Sequence, residues 1–157
     1  MKEQLLKTAS ELSQPPDSAT QEFSKKHEQL AEMGNQIMAG RSDVDKLVGG
    51  EVNQQMAEDN NRNFARFMAS LFTDFNPKVL VETALWVFRA YRSHGFKTTY
   101  WAANLNIWVD MIRKELSKQS YEALYPYYNW LIVNIPIFVK LSDEALSEFA
   151  QESMPQH

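Results

Sequence analysis

Seventeen consecutive residues, Ala123 to Val139, carry no charge and read ALYPYYNWLIVNIPIFV. A stretch of that length and hydrophobicity must be covered by something. On helical geometry Leu124, Tyr128, Leu131, Ile135 and Phe138 share one face at spacings of three and four. Ala123, Tyr127, Trp130, Asn134 and Ile137 form a second stripe on the opposite face. One apolar face suits a helix lying on its own core; two mean burial on both sides or contact with a partner. A membrane span needs about 20 apolar residues, and Pro126, Asn129, Asn134 and Pro136 interrupt this run. The second stripe is therefore the expected interface of a homodimer, with this helix packing on its own copy. The competing expectation is that the N-terminal segment 18–39, which offers Phe23, Leu30, Met33 and Ile37, covers it within one chain.

A chain of 157 residues is one domain's worth, and a domain of that size buries about 70% of the surface its unfolded chain exposes. With four Trp, six Tyr and nine Phe, a core can close without a disulfide or metal. The absence of cysteine excludes thiolate metal sites, a thiol nucleophile and thioether attachment of a cofactor. No apolar run of signal-peptide length opens the chain, so a cytoplasmic location is expected. The net charge of −4 is unevenly spread: residues 1–60 hold six Lys/Arg against eleven Asp/Glu, residues 61–140 ten against five, and the remainder none against four. Acidic flanks around a basic middle, without a glycine-rich or lysine-dense run, predict internal complementarity and no nucleic-acid partner.

No segment alternates apolar and polar residues, and every long segment follows the helical period. The expected fold is all-α, a single domain over 1–157 with seven or eight helices. Residues 1–16 form a leading helix and turn, and 154–157 a frayed tail. Ser18 with Gln21, and Ser42 with Asp45, read as capping boxes opening a polar helix to Ala39 and a short helix ending at Gly49-Gly50. The segment 52–75 predicts a long helix with Phe64, Phe67, Met68, Leu71 and Phe75 inward. Asn76-Pro77 is a strong helix start for a central helix that ends near Gly95. A further helix, capped by Thr98 or Thr99, turns Trp101, Leu105, Trp108, Ile112 and Leu116 inward. Ser117 or Ser120 opens the charge-free helix, bent at Pro126 and Pro136, and Ser142-Asp143-Glu144 starts a last short helix.

Residues fit for chemistry are sparse. Of three histidines, His157 is terminal, His27 lies in a charged segment and His94 sits at a helix end. Arg89, Arg92, His94 and Lys97 are either an anion clamp or cations offsetting a helix dipole, the simpler account. There is no His pair at metal-binding spacing and no phosphate loop, so no enzyme activity and no metal are expected. Asn60 and Asn104 fall in line with inward apolar residues, where an unpaired amide costs about 1–3 kcal/mol and needs a partner or ligand. If the domain holds a small apolar molecule, Phe64, Trp101 and Trp108 would surround it, with Asn60 or Asn104 orienting its polar end. A pure interaction module would have a filled core instead, and nothing in the residues demands a void.

A short helix, a long polar one, a one- to two-turn helix and then four long helices resembles the globin-like layout of bacterial sensor domains. The segment NNRNFARFMASLFTDFNPKVLVETALWVFRAYRSHGF and the apolar run 123–139 carry the likeness. It is nearest to the haem-less globin-like N-terminal domain of stressosome co-antagonist proteins, and more distantly to phycobilisome subunits. The helical cap of cobalamin-dependent light sensors is a second likeness, without its α/β half. The resemblance implies a non-catalytic sensor or signal relay that dimerises through its final helices, binds a protein partner in a signalling pathway and carries no cofactor. A haem or tetrapyrrole globin and a fatty-acid sensor are the alternatives. A haem globin would need a proximal histidine inside a helix, for which only His94 stands near. A bilin subunit would need its cysteine.

Overall fold

Asn76 begins a helix because its side-chain oxygen accepts from the backbone of Lys78 (3.0 Å) and Val79 (3.4 Å), while Pro77 follows with its ring-fixed φ. That helix ends in a Schellman motif. Phe96 N–H donates to Tyr91 O (3.2 Å), Gly95 N–H to Arg92 O (3.0 Å), and Gly95 takes φ +97°. The Tyr91 and Phe96 rings close the motif edge to face, 5.1 Å apart.

The structure, a computed structural model, describes residues 1–153, and among them it is all helical. The elements are α1 (Lys2–Ala9), α2 (Asp17–Ala39), α3 (Val44–Val48), a 3₁₀ turn (Glu51–Asn53), α4 (Gln54–Thr73), α5 (Pro77–Ser93), α6 (Thr98–Glu115), α7 (Lys118–Val133) and α8 (Ile135–Ser153). The expected tail 154–157 lies outside the described residues.

Helix α2 runs against α4 and also meets α6 and α7; α5 packs on α8 and α1; α6 packs on α7. Small residues let α2 and α4 approach: Ala31 and Gly34 on one, Ala57 and Ala65 on the other, all buried. A Cβ at Gly34 would stand 3.1 Å from the end of Met111 and 3.7 Å from the Asn61 amide. Helices α4 and α5 follow one another in the chain, yet they are not among the closely packed pairs. The buried side chains form one contiguous core around Trp108, Tyr100, Tyr127, Tyr128, Phe23, Phe72 and Phe138.

Two capping boxes do not form. Pro16 and Asp43 hold the N-cap positions of α2 and α3 without a side-chain bond, and Lys97 rather than a threonine precedes α6. The cap of α7 does form, Ser117 Oγ accepting from Ser120 N–H, and it is reinforced from another helix. The Glu22 carboxylate of α2 accepts from Ser117 N–H (2.8 Å), Ser117 Oγ (2.8 Å) and Ser120 Oγ (2.6 Å). Burial opposes its ionisation, but the bonds from Ser120 and Ser117 outweigh that, Lys26 adds its charge, and the pKa falls from 4.5 to about 2. A folded pKa below the unfolded one means the stabilisation is whole above pH 4.5 and is lost as pH falls toward 2. We expect Glu22→Gln to cost about 1–2 kcal/mol at neutral pH and to flatten the loss of stability between pH 4.5 and 2, measured by urea unfolding across that range.

The charge-free run is not one helix. Pro136 has no N–H and its ring would clash with the carbonyl of Ile132, so α7 stops at Val133 and Asn134 turns the chain into α8. Asn134 spends its amide locally, donating to Trp130 O at 2.8 Å, while Ile137 and Phe138 donate to its carbonyl. The stripe expected at a dimer interface is covered within the chain. Tyr127, Trp130 and Asn134 are buried; Ala123 and Ile137 are half-buried. Part of the cover is α1 and the turn after it, where Trp130 Nε1 donates to Thr8 Oγ1 at 2.9 Å and Tyr127 OH to Ser13 O. Segment 18–39 also packs on α7. Phe72 and Phe75 meet the Tyr127 ring edge on, each 5.1 Å away. The surplus apolar surface that called for a second copy is absent at this stripe. Helix α8 also runs straight through Ser142-Asp143-Glu144, where a new helix was expected. Ser142 is buried, donates to Val139 O and accepts from Arg92, which also pairs with Asp143. Tertiary partners there replace the cap that the local pattern suggested.

Candidate functional site

Between α4 and α5, where those helices stand apart, lies a cavity of about 330 Å³. Helix α4 lends Asn60, Asn63, Phe64 and Phe67; α5 lends Leu80, Thr83, Ala84, Trp86, Val87, Phe88 and Tyr91. Trp101, Asn104 and Leu105 of α6 and Leu131 of α7 complete it. Trp86 is 59% exposed and marks the solvent side of the lining. Helix α4 therefore has two inward faces. Ala57, Asn61, Ala65, Met68 and Phe72 are buried in the core, whereas Phe64 and Phe67 remain half-buried because they border the cavity.

The lining is apolar and holds no Lys, Arg, His, Asp or Glu. Tyr91 stays a neutral phenol, since burial and then the Asp59 charge push its pKa up. Tyr91 packs edge on against Trp101, 5.7 Å between centroids, and Phe88 stacks on the same indole at 4.5 Å.

Behind the lining runs a chain of amides whose direction is set by one indole. Trp108 Nε1–H can only donate, and it donates to Asn61 Oδ1 at 3.0 Å. Asn61 must then turn its Nδ2 to Asn35 Oδ1 (2.9 Å), and Asn35 Nδ2 reaches Glu58 O (3.3 Å). The same Asn61 oxygen takes Asn104 Nδ2–H at 2.8 Å, which commits the other end of Asn104, Oδ1, to facing away from Asn61. That Oδ1 is buried without a partner, and so is Trp101 Nε1. Both belong to residues that line the cavity, three positions apart on α6 and so on one face. The third orphan, Tyr128 OH, sits on a ring stacked against Trp108 and is outside the lining. An unpaired buried donor or acceptor costs about 1–3 kcal/mol; both atoms are themselves fully covered, so neither is open to the cavity.

Of the five residues expected around a ligand, Phe64, Trp101, Asn60 and Asn104 line the cavity. Trp108 does not; it lies behind, edge on to Phe64 at 5.4 Å, and orients the amides. Asn60 is held by Tyr100, donating to its hydroxyl at 3.1 Å. Asn61, the hub, stands four before Ala65 and seven before Met68, on the buried stripe, and that spacing is its signal in the sequence. Of the basic cluster at the end of α5, Arg92 and Lys97 border a second, more open cleft with Arg41 and Lys46, while Arg89 and His94 lie outside it. Arg92 also bonds Val139 O, Ser142 and Asp143. His94 lies outside the cavity, so the lining offers no histidine to a haem. Internal charge complementarity is visible in Arg62 on Glu32 and Arg92 on Asp143.

Among the described residues no helix is long and apolar enough to cross a membrane, and no group of three acidic or histidine side chains could hold a metal. Comparison with protein-family models, curated proteins and solved structures finds no match.

Proposed function

We propose that this domain binds a small, largely apolar molecule between α4 and α5 and acts as a non-catalytic sensor, its occupancy read by a partner. The observation that carries this is the cavity itself. The pocket of about 330 Å³ opens to solvent on the Trp86 side. Covering its concave apolar surface with an apolar molecule removes that surface from water, which is favourable at about 25 cal/mol per Å². Its size lies at the lower end of natural ligand pockets, about 300–1,000 Å³, and its apolar lining with a few polar atoms has their character. A filled-core interaction module does not account for it.

The sensor reading rests on the helix order and the resemblance to globin-like sensor domains. The lining supports binding rather than chemistry, because no charged side chain borders the void. A fatty acid could place its tail there only with its carboxylate toward the Trp86 side. Thermal unfolding with and without 1-octanol tests the reading. The wild type should gain several degrees at saturating alcohol. Ala84→Phe, which puts a ring into the void from the lining, should melt at the same temperature with and without it. Equal shifts in both proteins, or none in the wild type, would remove the proposal.

A further inference from the structure

From the cleft beside the α5–α6 turn we infer that the domain binds a small soluble phosphate monoester, at a site separate from the α4–α5 cavity. The cleft measures about 830 Å³ and lies among α3, that turn, the start of α6 and Leu146 of α8. Its lining and that of the cavity share no residue. Arg41, Lys46, Arg92 and Lys97 all border it. Its two walls are fixed to one another through the backbone. Lys97 N–H donates to Leu47 O at 2.9 Å, and Asn53 Nδ2 donates to both Val48 O (2.8 Å) and His94 O (2.7 Å). Gly49, at φ +84°, completes the seam, because a Cβ there would collide with Gly95 O. A cleft held in this way needs little ordering when a ligand enters.

Charge selects the occupant. Asp43, the one acid of the lining, is matched by Arg41 through two bonds of 2.9 and 3.1 Å, and Arg92 is matched by Asp143. Lys46 and Lys97 are exposed, and among the described residues neither stands in an ion pair. Two unmatched cations on one cleft suit a dianion. A phosphate monoester carries about −1.5 to −2 charges at neutral pH and three acceptor oxygens. Donors for them are the two ammonium groups, the N–H groups that Arg41 does not give to Asp43, and the hydroxyls of Thr98 and Thr99, which also line the cleft. A carboxylate brings one charge and two oxygens. Ala103 and Leu146, both half-buried, put apolar surface on the same cleft, where the organic part of an ester gains contact that inorganic phosphate cannot.

Calorimetric titration at neutral pH with phenyl phosphate, inorganic phosphate and benzoate tests the assignment. We expect phenyl phosphate to bind at least about tenfold more tightly than either of the others. Replacing both exposed lysines, Lys46→Gln with Lys97→Gln, should leave the melting temperature unchanged and weaken phenyl phosphate by about tenfold or more. Arg89→Gln removes a cation from the same end of α5 but outside the cleft, and should bind as the wild type does. Ala84→Phe, which alters only the other cavity, should do the same. Equal affinities for the three ligands, equal losses in the lysine and Arg89 variants, or no binding of phenyl phosphate would overturn the site. Vesicles of phosphatidylcholine and phosphatidic acid form the last arm. A wild type that sediments with them while ignoring phenyl phosphate would assign these cations to a lipid surface and overturn the soluble ligand.

Discussion

Asn61→Leu should cost about 3–5 kcal/mol and leave the domain at best marginally folded. Asn61 is almost fully buried and its one side chain serves three others, accepting from Trp108 and Asn104 and donating to Asn35. Leucine is close to it in size, so the loss is not one of volume. It comes from orphaning an indole donor, an amide donor and an amide acceptor in the interior, each at about 1–3 kcal/mol with some relief from rearrangement. Asn61→Asp keeps the acceptor for Trp108 and Asn104 but loses the donor to Asn35 and buries a charge, so it should recover part of the stability at acid pH only. Guanidinium unfolding of the two variants measures both effects.

Trp130→Glu should unfold the chain, at a cost above about 4 kcal/mol. Trp130 is 5% exposed, its ring lies 5.6 Å from Phe138, and its N–H is bonded to Thr8. A carboxylate in that buried position would be stripped of its water. The milder Trp130→Phe keeps most of the apolar contact and loses the Thr8 bond, for about 1–2 kcal/mol. Were the residue on an outer face, the glutamate variant would be folded and as stable as the wild type by circular dichroism and melting. That result would return the stripe to the surface.

What the sequence made legible follows from how local each signal is. Asn76-Pro77 and the Gly95 turn depend on atoms within five residues of each other, and both form as their chemistry predicts. The face Trp101, Leu105, Trp108, Ile112 and Leu116 is buried throughout, because a helix of helical period needs only one side to be covered. Periodicity says that a residue faces inward; it does not say what it meets there. Phe64 and Trp108 share that property, yet one borders a void and the other orients an amide. The same limit hid the cover over Tyr127 and Trp130. Part of it comes from α1 and its turn, more than a hundred residues away in the chain, through bonds to Thr8 and Ser13 that no spacing encodes. The run through Ser142 misled for a related reason, since a serine followed by two acids is a helix start unless an arginine from another helix claims it.

The central claim is that the space between α4 and α5 is a binding site, and amide chemical-shift mapping with 1-octanol tests it most directly. The account predicts saturable shifts concentrated on Asn60, Phe64, Val87, Trp101 and Asn104, with Ala84→Phe abolishing them. Shifts that grow without saturation and gather at the exposed apolar residues Ile37, Val52 and Val133 would contradict it.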